Sequence, residues 1–278
     1  MTDIRRIAAF SDGDAGGNPA GVLVGDRLPS DADMQSIARA VGFSETAFAA
    51  AEGDHWRVRY FAPECEVAFC GHATIALGAV LTDLNGAGTY PLRINGGDIT
   101  VTGRLDAAGQ PQIQLSSPPT RSAPVDPVLL KRAMALFDFA RDDLDPRLPH
   151  ALANAGNDHL VIALRDRARL ASMHYDLEDG RRLMEAYGLT TINLIQTDGP
   201  REFHSRNAFA IGGVSEDPAT GAAAAALGGY LRDLGWPHGG SIRISQGVDM
   251  GAPSILTVTI PDEPGSPVLV SGTTRTIG

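Results

Sequence analysis

Apolar positions along this chain change their period several times, and each change marks an element. IRRIAAF reads as a strand that gives way to a Gly- and Asp-rich loop ending in Gly17-Asn18-Pro19-Ala20, and Val22 to Val24 form a short second strand. The period then lengthens: Met34, Ile37, Ala38 and Val41 recur at i, i+3, i+4 and i+7, which predicts a helix. Ser30 stands at its N-cap with Asp33 three positions on, and Gly42 is a suitable terminator. Alternation resumes in Phe43–Phe48 and again in HWRVRYFAP, where Trp56, Val58 and Tyr60 share one face and Arg57 and Arg59 the other. YPLRI, DITVTGRL and QIQLS continue as strands. Beyond them a helix is predicted from Pro127 to Phe137 on Leu130, Met134 and Phe137, then strands HLVIALR and TINLIQT flanking a helix RRLMEAYG that stops at Gly188. FHSRNAFA leads to an EDPATG turn and a long helix to Leu234, and SIRISQG, SILTVTI and VLVSG close the chain as strands.

Two stretches break the amphipathic rule. GHATIALGAVL from Gly71 and GAAAAALGGYL from Gly221 agree at the first glycine, at Ala73/Ala223, Ala76/Ala226, Leu77/Leu227, Gly78/Gly228 and Leu81/Leu231. This is an internal repeat, one copy in each half of the chain, and it argues for two domains. A helix that is apolar on every side belongs in an interior, most simply wrapped by a sheet. The expected division is 1–117, a linker over 118–127 carried by Ser117-Pro118-Pro119-Thr120-Arg121-Ser122-Ala123-Pro124, and 128–278, with the last residues able to pack back on the first half.

Composition narrows the chemistry. With 278 residues, 43% hydrophobic and 20% charged, the chain can bury a core in each half, and a net charge of −10 disfavours nucleic acid or an anionic membrane as partner. No apolar run approaches the ~18 residues of a membrane span, so a cytoplasmic setting is expected. The two cysteines, Cys65 and Cys70, and the scattered histidines form no disulfide framework and no zinc spacing, and no metal site is expected.

Three titratable residues stand where chemistry is plausible. Alternation sets Glu45 on the face of Phe43 and Ala47, where a carboxylate must be solvated at an edge strand or paired. His72 and Asp217 flank the twin helix starts, whose unpaired N–H groups and positive dipole end suit an anion approaching over small residues. His72 at such a start is favoured as the neutral imidazole. Asp217 before Pro218 serves equally as a cap, and the glycines and alanines equally allow close packing.

Six segments then carry a family likeness in order: GNPAGV at Asn18, MQSIARAVGFSETAF around Glu45, FAPECEVAFCGHATIALG around His72, AGNDHLVIAL near Asn157, EDPATGAAAAAL around Asp217 and ISQGVDMGAPS around Gln246. Together they resemble the phenazine-biosynthesis PhzF-like isomerases of the diaminopimelate-epimerase-like superfamily. The resemblance implies an α+β fold of two pseudo-symmetric domains, each a curved, barrel-like mixed sheet around a central helix, with the active site in the cleft between them. It implies Glu45 as the acid/base that moves a proton between carbons of a small carboxylated, amino-acid-like or cyclic substrate, without metal or organic cofactor. His72 and Asp217 would hold the substrate and assist the proton. Gly71, Thr220 and Gly221 would receive the carboxylate through backbone N–H groups, with Asn18, Ala73, Ala222 and Gln246 completing the substrate site. A homodimer is also implied.

Two departures qualify the likeness. Two-thiol members of the superfamily carry a cysteine at each helix start; here Cys70 occupies the first position and Pro218 the second. Ala222 stands where phenazine-type members often have Ser, which leaves the phenazine-precursor substrate open. Two other readings stay in play: an epimerase assisted by the single thiol of Cys70, and a non-catalytic protein that binds a small anion or metabolite at the helix starts.

Overall fold

The computed structural model describes residues 4–106, 109 and 111–278. The chain divides into two compact units, one running to Ser116 and resuming at Leu269–Gly278, the other Ser117–Val268. Each is a curved, barrel-like mixed sheet around a central helix, and the two are pseudo-symmetric, as the repeat predicts.

The first unit contains β1 (Arg5–Ser11), β2 (Asn18–Gly25), α1 (Asp31–Val41), β3 (Glu45–Glu52), β4 (His55–Phe61), β5 (Glu66–Val67), α2 (Gly71–Asn85), β6 (Gly88–Ile94), β7 (Gly97–Leu105) and most of β8 (Pro111–Pro119). Along its ladder β1 pairs antiparallel with β2, β2 parallel with β3, β3 antiparallel with β4, β4 parallel with β6 and β6 antiparallel with β7. The second unit holds β9 (Arg121–Pro124), α3 (Pro127–Leu136), β10 (Ala151–Asn154), β11 (Asp158–Ala163), α4 (Arg167–Ala171), α5 (Leu177–Tyr187), β12 (Thr191–Thr197), β13 (Glu202–Ala208), β14 (Glu216–Asp217), α6 (Gly221–Leu234), β15 (Ser241–Gln246) and β16 (Ser254–Thr259). Its ladder repeats the same senses: β10 with β11 antiparallel, β11 with β12 parallel, β12 with β13 antiparallel, β13 with β15 parallel and β15 with β16 antiparallel. In both units a two-residue strand, β5 or β14, pairs antiparallel with its predecessor and delivers the chain to the central helix.

The central helices are interior because their first three turns are almost wholly apolar, with the charged Asp83 and Asp233 confined to the last turn. α2 is buried from Gly71 through Thr82 and α6 from Gly221 through Arg232. The repeated glycines explain how closely a sheet wraps them. A Cβ on Gly78 would lie 2.6 Å from methyls of both Val101 and Ile113, and one on Gly228 would lie 2.8 Å from a methyl of Val258. Gly78→Ala is therefore expected to overpack the first unit, lowering its stability by about 1–3 kcal/mol despite the better helix propensity of alanine. Urea unfolding of the variant tests this, and an unchanged or raised midpoint would mean that β7 and β8 yield freely.

Several local expectations hold. The Ser30 side chain accepts from the Asp33 N–H at 3.2 Å, and Gly42 closes α1 in the left-handed region at φ 72°. Other elements differ. α3 turns Leu129, Ala133 and Phe137 inward, leaving Leu130 and Met134 partly buried, because its stripe runs at i, i+4, i+8. α5 begins before the predicted RRLMEAYG, at a cap where Asp176 accepts from the Asp179 N–H, and the one-turn α4 precedes it. The proline-rich 118–127 is not a free linker: it finishes β8 and carries β9, which pairs antiparallel with β10. The closing strand β17 (Pro267–Thr276) returns to the first unit, where Ile7 faces Thr276 on the side of β1 away from β2. Among the described residues no helix is long and apolar enough to cross a membrane.

Candidate active site

Glu45 begins β3, which has β2 on one side, Ala20 opposite Glu45, and β4 on the other. It is therefore an interior position, and the solvated edge-strand reading does not apply. Only 8% of Glu45 is exposed. Burial pushes its carboxyl above the usual carboxylate range, while hydrogen bonds from Ser44 and Cys70 oppose the rise.

The partners come from the start of α2. β4 and β5 run antiparallel, and after Val67 the chain reaches Cys70 at the N-cap, with Gly71 and His72 as the first helical residues. His72 Nε2 lies 3.4 Å from a Glu45 carboxylate oxygen and 3.4 Å from Ser44 Oγ. Cys70 Sγ lies 3.3 Å from His72 Nδ1 and 4.0 Å from Nε2. This start is braced from behind: Thr74 Oγ1 donates to the Cys70 carbonyl at 2.7 Å, so Tyr60, at 2.7 Å, donates its hydroxyl proton to Thr74. The Cys70 side chain makes no capping hydrogen bond to the first turn of α2, whose N-terminal end carries the positive pole of the helix dipole.

Ligand atoms of Glu45, Cys70 and His72 all lie within 4.8 Å of one another, and all three residues are buried. The sequence disclosed no metal-ligand motif because the carboxylate comes from a different element than the thiol and imidazole. A carboxylate, an imidazole and a thiol in contact can accept a proton from carbon, relay it, or hold a cation.

The second unit gathers a different group. Asp217, 7% exposed, ends β14, and Thr220 Oγ1 donates to its carboxylate at 2.5 Å. Gln246, buried at the end of β15, donates from Nε2 to the Asp217 carbonyl at 2.7 Å and contacts Thr220 Oγ1 at 3.1 Å. Its Oε1 accepts from the Thr220 N–H at 3.3 Å. That N–H, which the resemblance gave to a substrate carboxylate, is thus engaged within the protein, while Gly221 and Ala222 open α6 with no side-chain cap. Gly247 fixes the turn after Gln246: at φ 73°, a Cβ there would lie 2.2 Å from the Ala252 carbonyl oxygen and 2.7 Å from that of Pro218. In the first unit Asn18 is buried opposite Ala9 at the start of β2, and Ala73 is buried in the first turn of α2.

Sequence reasoning passed over three residues. Ser44 touches His72. Arg206 and Glu216 form a buried ion pair beneath the Asp217 turn, with Arg206 Nε donating to Glu216 Oε2 at 3.0 Å and its second terminal nitrogen bonding the other oxygen. An arginine inside FHSRNAFA, followed by the acid of EDPATG, was the available signal.

Residues 7–277 match the family model described as phenazine biosynthesis-like protein. The chain is 30% identical over 290 residues to the uncharacterized isomerase YddE of Escherichia coli K12, covering 97% of this chain and 94% of that one. The crystal structure of a Bacillus anthracis phenazine biosynthesis protein of the PhzF family is similar in fold, with TM-score 0.85 and 23% identity over 100% of this chain and 97% of that one. A probable proline racemase from Agrobacterium radiobacter K84 shares the fold more distantly, at TM-score 0.69 and 13% identity over 100% of this chain and 92% of that one.

Proposed function

The chain belongs to the phenazine biosynthesis-like protein family, and from that premise we propose that it is an isomerase or epimerase whose proton is carried by Glu45. The substrate class is a small carboxylated molecule, amino-acid-like or cyclic, with a C–H bond acidified by a carboxylate or conjugated group. The observation that carries the reading is the contact of the buried Glu45 carboxylate with His72 at the uncapped start of α2.

In the proposed reaction the ionised Glu45 removes the proton, the C–H electron pair passes into the conjugated system, and the same carboxyl returns the proton at the new position. Burial supports this role, since a carboxyl raised toward neutral pH exchanges a proton with carbon more evenly than an ordinary one. The leading N–H groups and dipole of α2 favour the negative charge that develops on the substrate. His72 orients the Glu45 carboxylate, and every step is assigned to side chains and backbone of this chain. In the second unit the start of α6, shaped by Asp217, Thr220 and Gln246, is assigned the holding of an anionic group.

Deuterium incorporation from D2O into a panel of small carboxylated compounds, followed by proton NMR, tests the proposal; a panel of bound compounds showing none would sink it. The single-thiol reading rests on Cys70 Sγ lying 3.3 Å from His72 Nδ1. Cys70→Ala separates the two: with Glu45 as the base, turnover stays within about tenfold of the parent, whereas a catalytic thiol requires a fall of about 10²- to 10⁴-fold.

A further inference from the structure

We infer that Glu45, Cys70 and His72 also form a binding site for a single thiophilic divalent cation, with Zn2+ as the probe of that class. The donor set is the first ground. One thiolate, one imidazole and one carboxylate are the ligand types zinc takes, and three protein ligands with a fourth position open is the arrangement of zinc sites that exchange water or ligand. A dication held by one thiolate and one carboxylate is also formally neutral, which makes its burial tolerable where either anion alone is costly.

The spacing is the second ground. A tetrahedral zinc ion with ordinary bond lengths sets its nitrogen and oxygen ligands about 3.4 Å apart and its sulfur about 3.6 Å from either. Here His72 Nε2 is 3.4 Å from Glu45 Oε2 and 4.0 Å from Cys70 Sγ, and one ligand atom from each residue falls within 4.8 Å of the others. Closing on an ion thus needs only small side-chain rotations. The third ground is rigidity: Glu45 lies on an interior strand, and Cys70 and His72 flank the first residue of a fifteen-residue helix that is buried through Thr82 and whose start is tied to Tyr60 through Thr74. Preorganised donors lose little freedom on binding. The positive end of α2 opposes a cation, and the two anionic ligands outweigh its half charge.

Occupancy has a consequence that rests on the proposed role of Glu45. An ion bound to one oxygen of its carboxylate withdraws the negative charge that would take a proton from carbon, so metal binding opposes proton transfer by Glu45. The binding itself does not depend on that role.

Titration of the full chain with Co2+, a spectroscopic stand-in for Zn2+, tests the site. One equivalent should produce a sulfur-to-cobalt charge-transfer band and visible absorption of a four-coordinate ion, both discharged by one equivalent of Zn2+. Cys70→Ala should abolish the charge-transfer band, and Glu45→Gln should weaken Zn2+ binding at least tenfold while retaining the metal-free unfolding midpoint. Cys65→Ser, which removes the exposed cysteine, should leave both signals intact. The inference is overturned if the charge-transfer band is absent, if it survives Cys70→Ala, or if it disappears in Cys65→Ser. If the ion binds as described and deuterium exchange into substrate continues unchanged, the metal site stands and Glu45 is not the base.

Discussion

Glu45→Gln is expected to lower the rate of solvent deuterium incorporation into substrate by about 10²- to 10⁴-fold, the contribution of a positioned general acid or base. The amide keeps the size of the carboxyl and can still accept from Ser44 and Cys70, the two groups that hydrogen-bond the acid. It cannot take up a proton at neutral pH. Ligand affinity should therefore change far less than turnover, because an interaction made only as the proton leaves carbon affects kcat and spares binding. The non-catalytic reading makes the opposite forecast: no exchange in the parent protein and no difference in the variant. Binding by calorimetry beside exchange by NMR decides between them. An amide variant that exchanges at the parent rate would remove Glu45 from the chemistry altogether.

Much of the fold was legible because it is written locally. The Ser30 cap, the Gly42 terminator and the i, i+3, i+4, i+7 pattern of α1 each lie within a few residues of one another. The repeated starts at Gly71 and Gly221 disclosed both central helices, since an all-apolar helix has nowhere to go but inside. What was not legible depends on pairings between distant segments. Whether Glu45 meets water or a partner was undecided by alternation; it is settled by β2 and β4 closing on both sides of β3 and by α2 starting against it. The donor group at Glu45, Cys70 and His72 escaped a search for metal spacing for the same reason. Residues 117–124 looked like a linker because their three prolines forbid a regular ladder on every N–H, yet within this stretch Ser122 and Ala123 still pair with Ala153 and Leu152. The last strand was ambiguous because a short alternating run carries no label for the sheet it joins.

Arg206→Met should destabilise the second unit by about 3–5 kcal/mol, the usual cost of leaving one member of a buried ion pair alone. The guanidinium is nearly enclosed: besides both oxygens of Glu216, it donates to the Ala171 carbonyl at 2.7 Å and to that of Met173 at 3.1 Å. Removing it strands a buried acid and the buried Met173 carbonyl, and frees the carbonyl of the exposed Ala171, while methionine replaces only the stem. The damage should also reach the candidate site, because Glu216 immediately precedes Asp217 and both lie in β14 against β13. Adding Glu216→Leu to the first change should restore most of the loss, since a buried pair contributes little net stability once both charges are gone. The exposed pair of Arg182 and Asp179 provides the contrast: Arg182→Met should leave the unfolding midpoint where it is, because solvent already screens that contact. Urea unfolding of the two single variants and the double variant measures all three. If Arg206→Met alone unfolds with the parent midpoint, the pair is not what holds the turn that delivers Asp217 to the start of α6. If the double variant is no more stable than Arg206→Met, the lost carbonyl contacts at Ala171 and Met173, rather than the stranded charge, account for the damage.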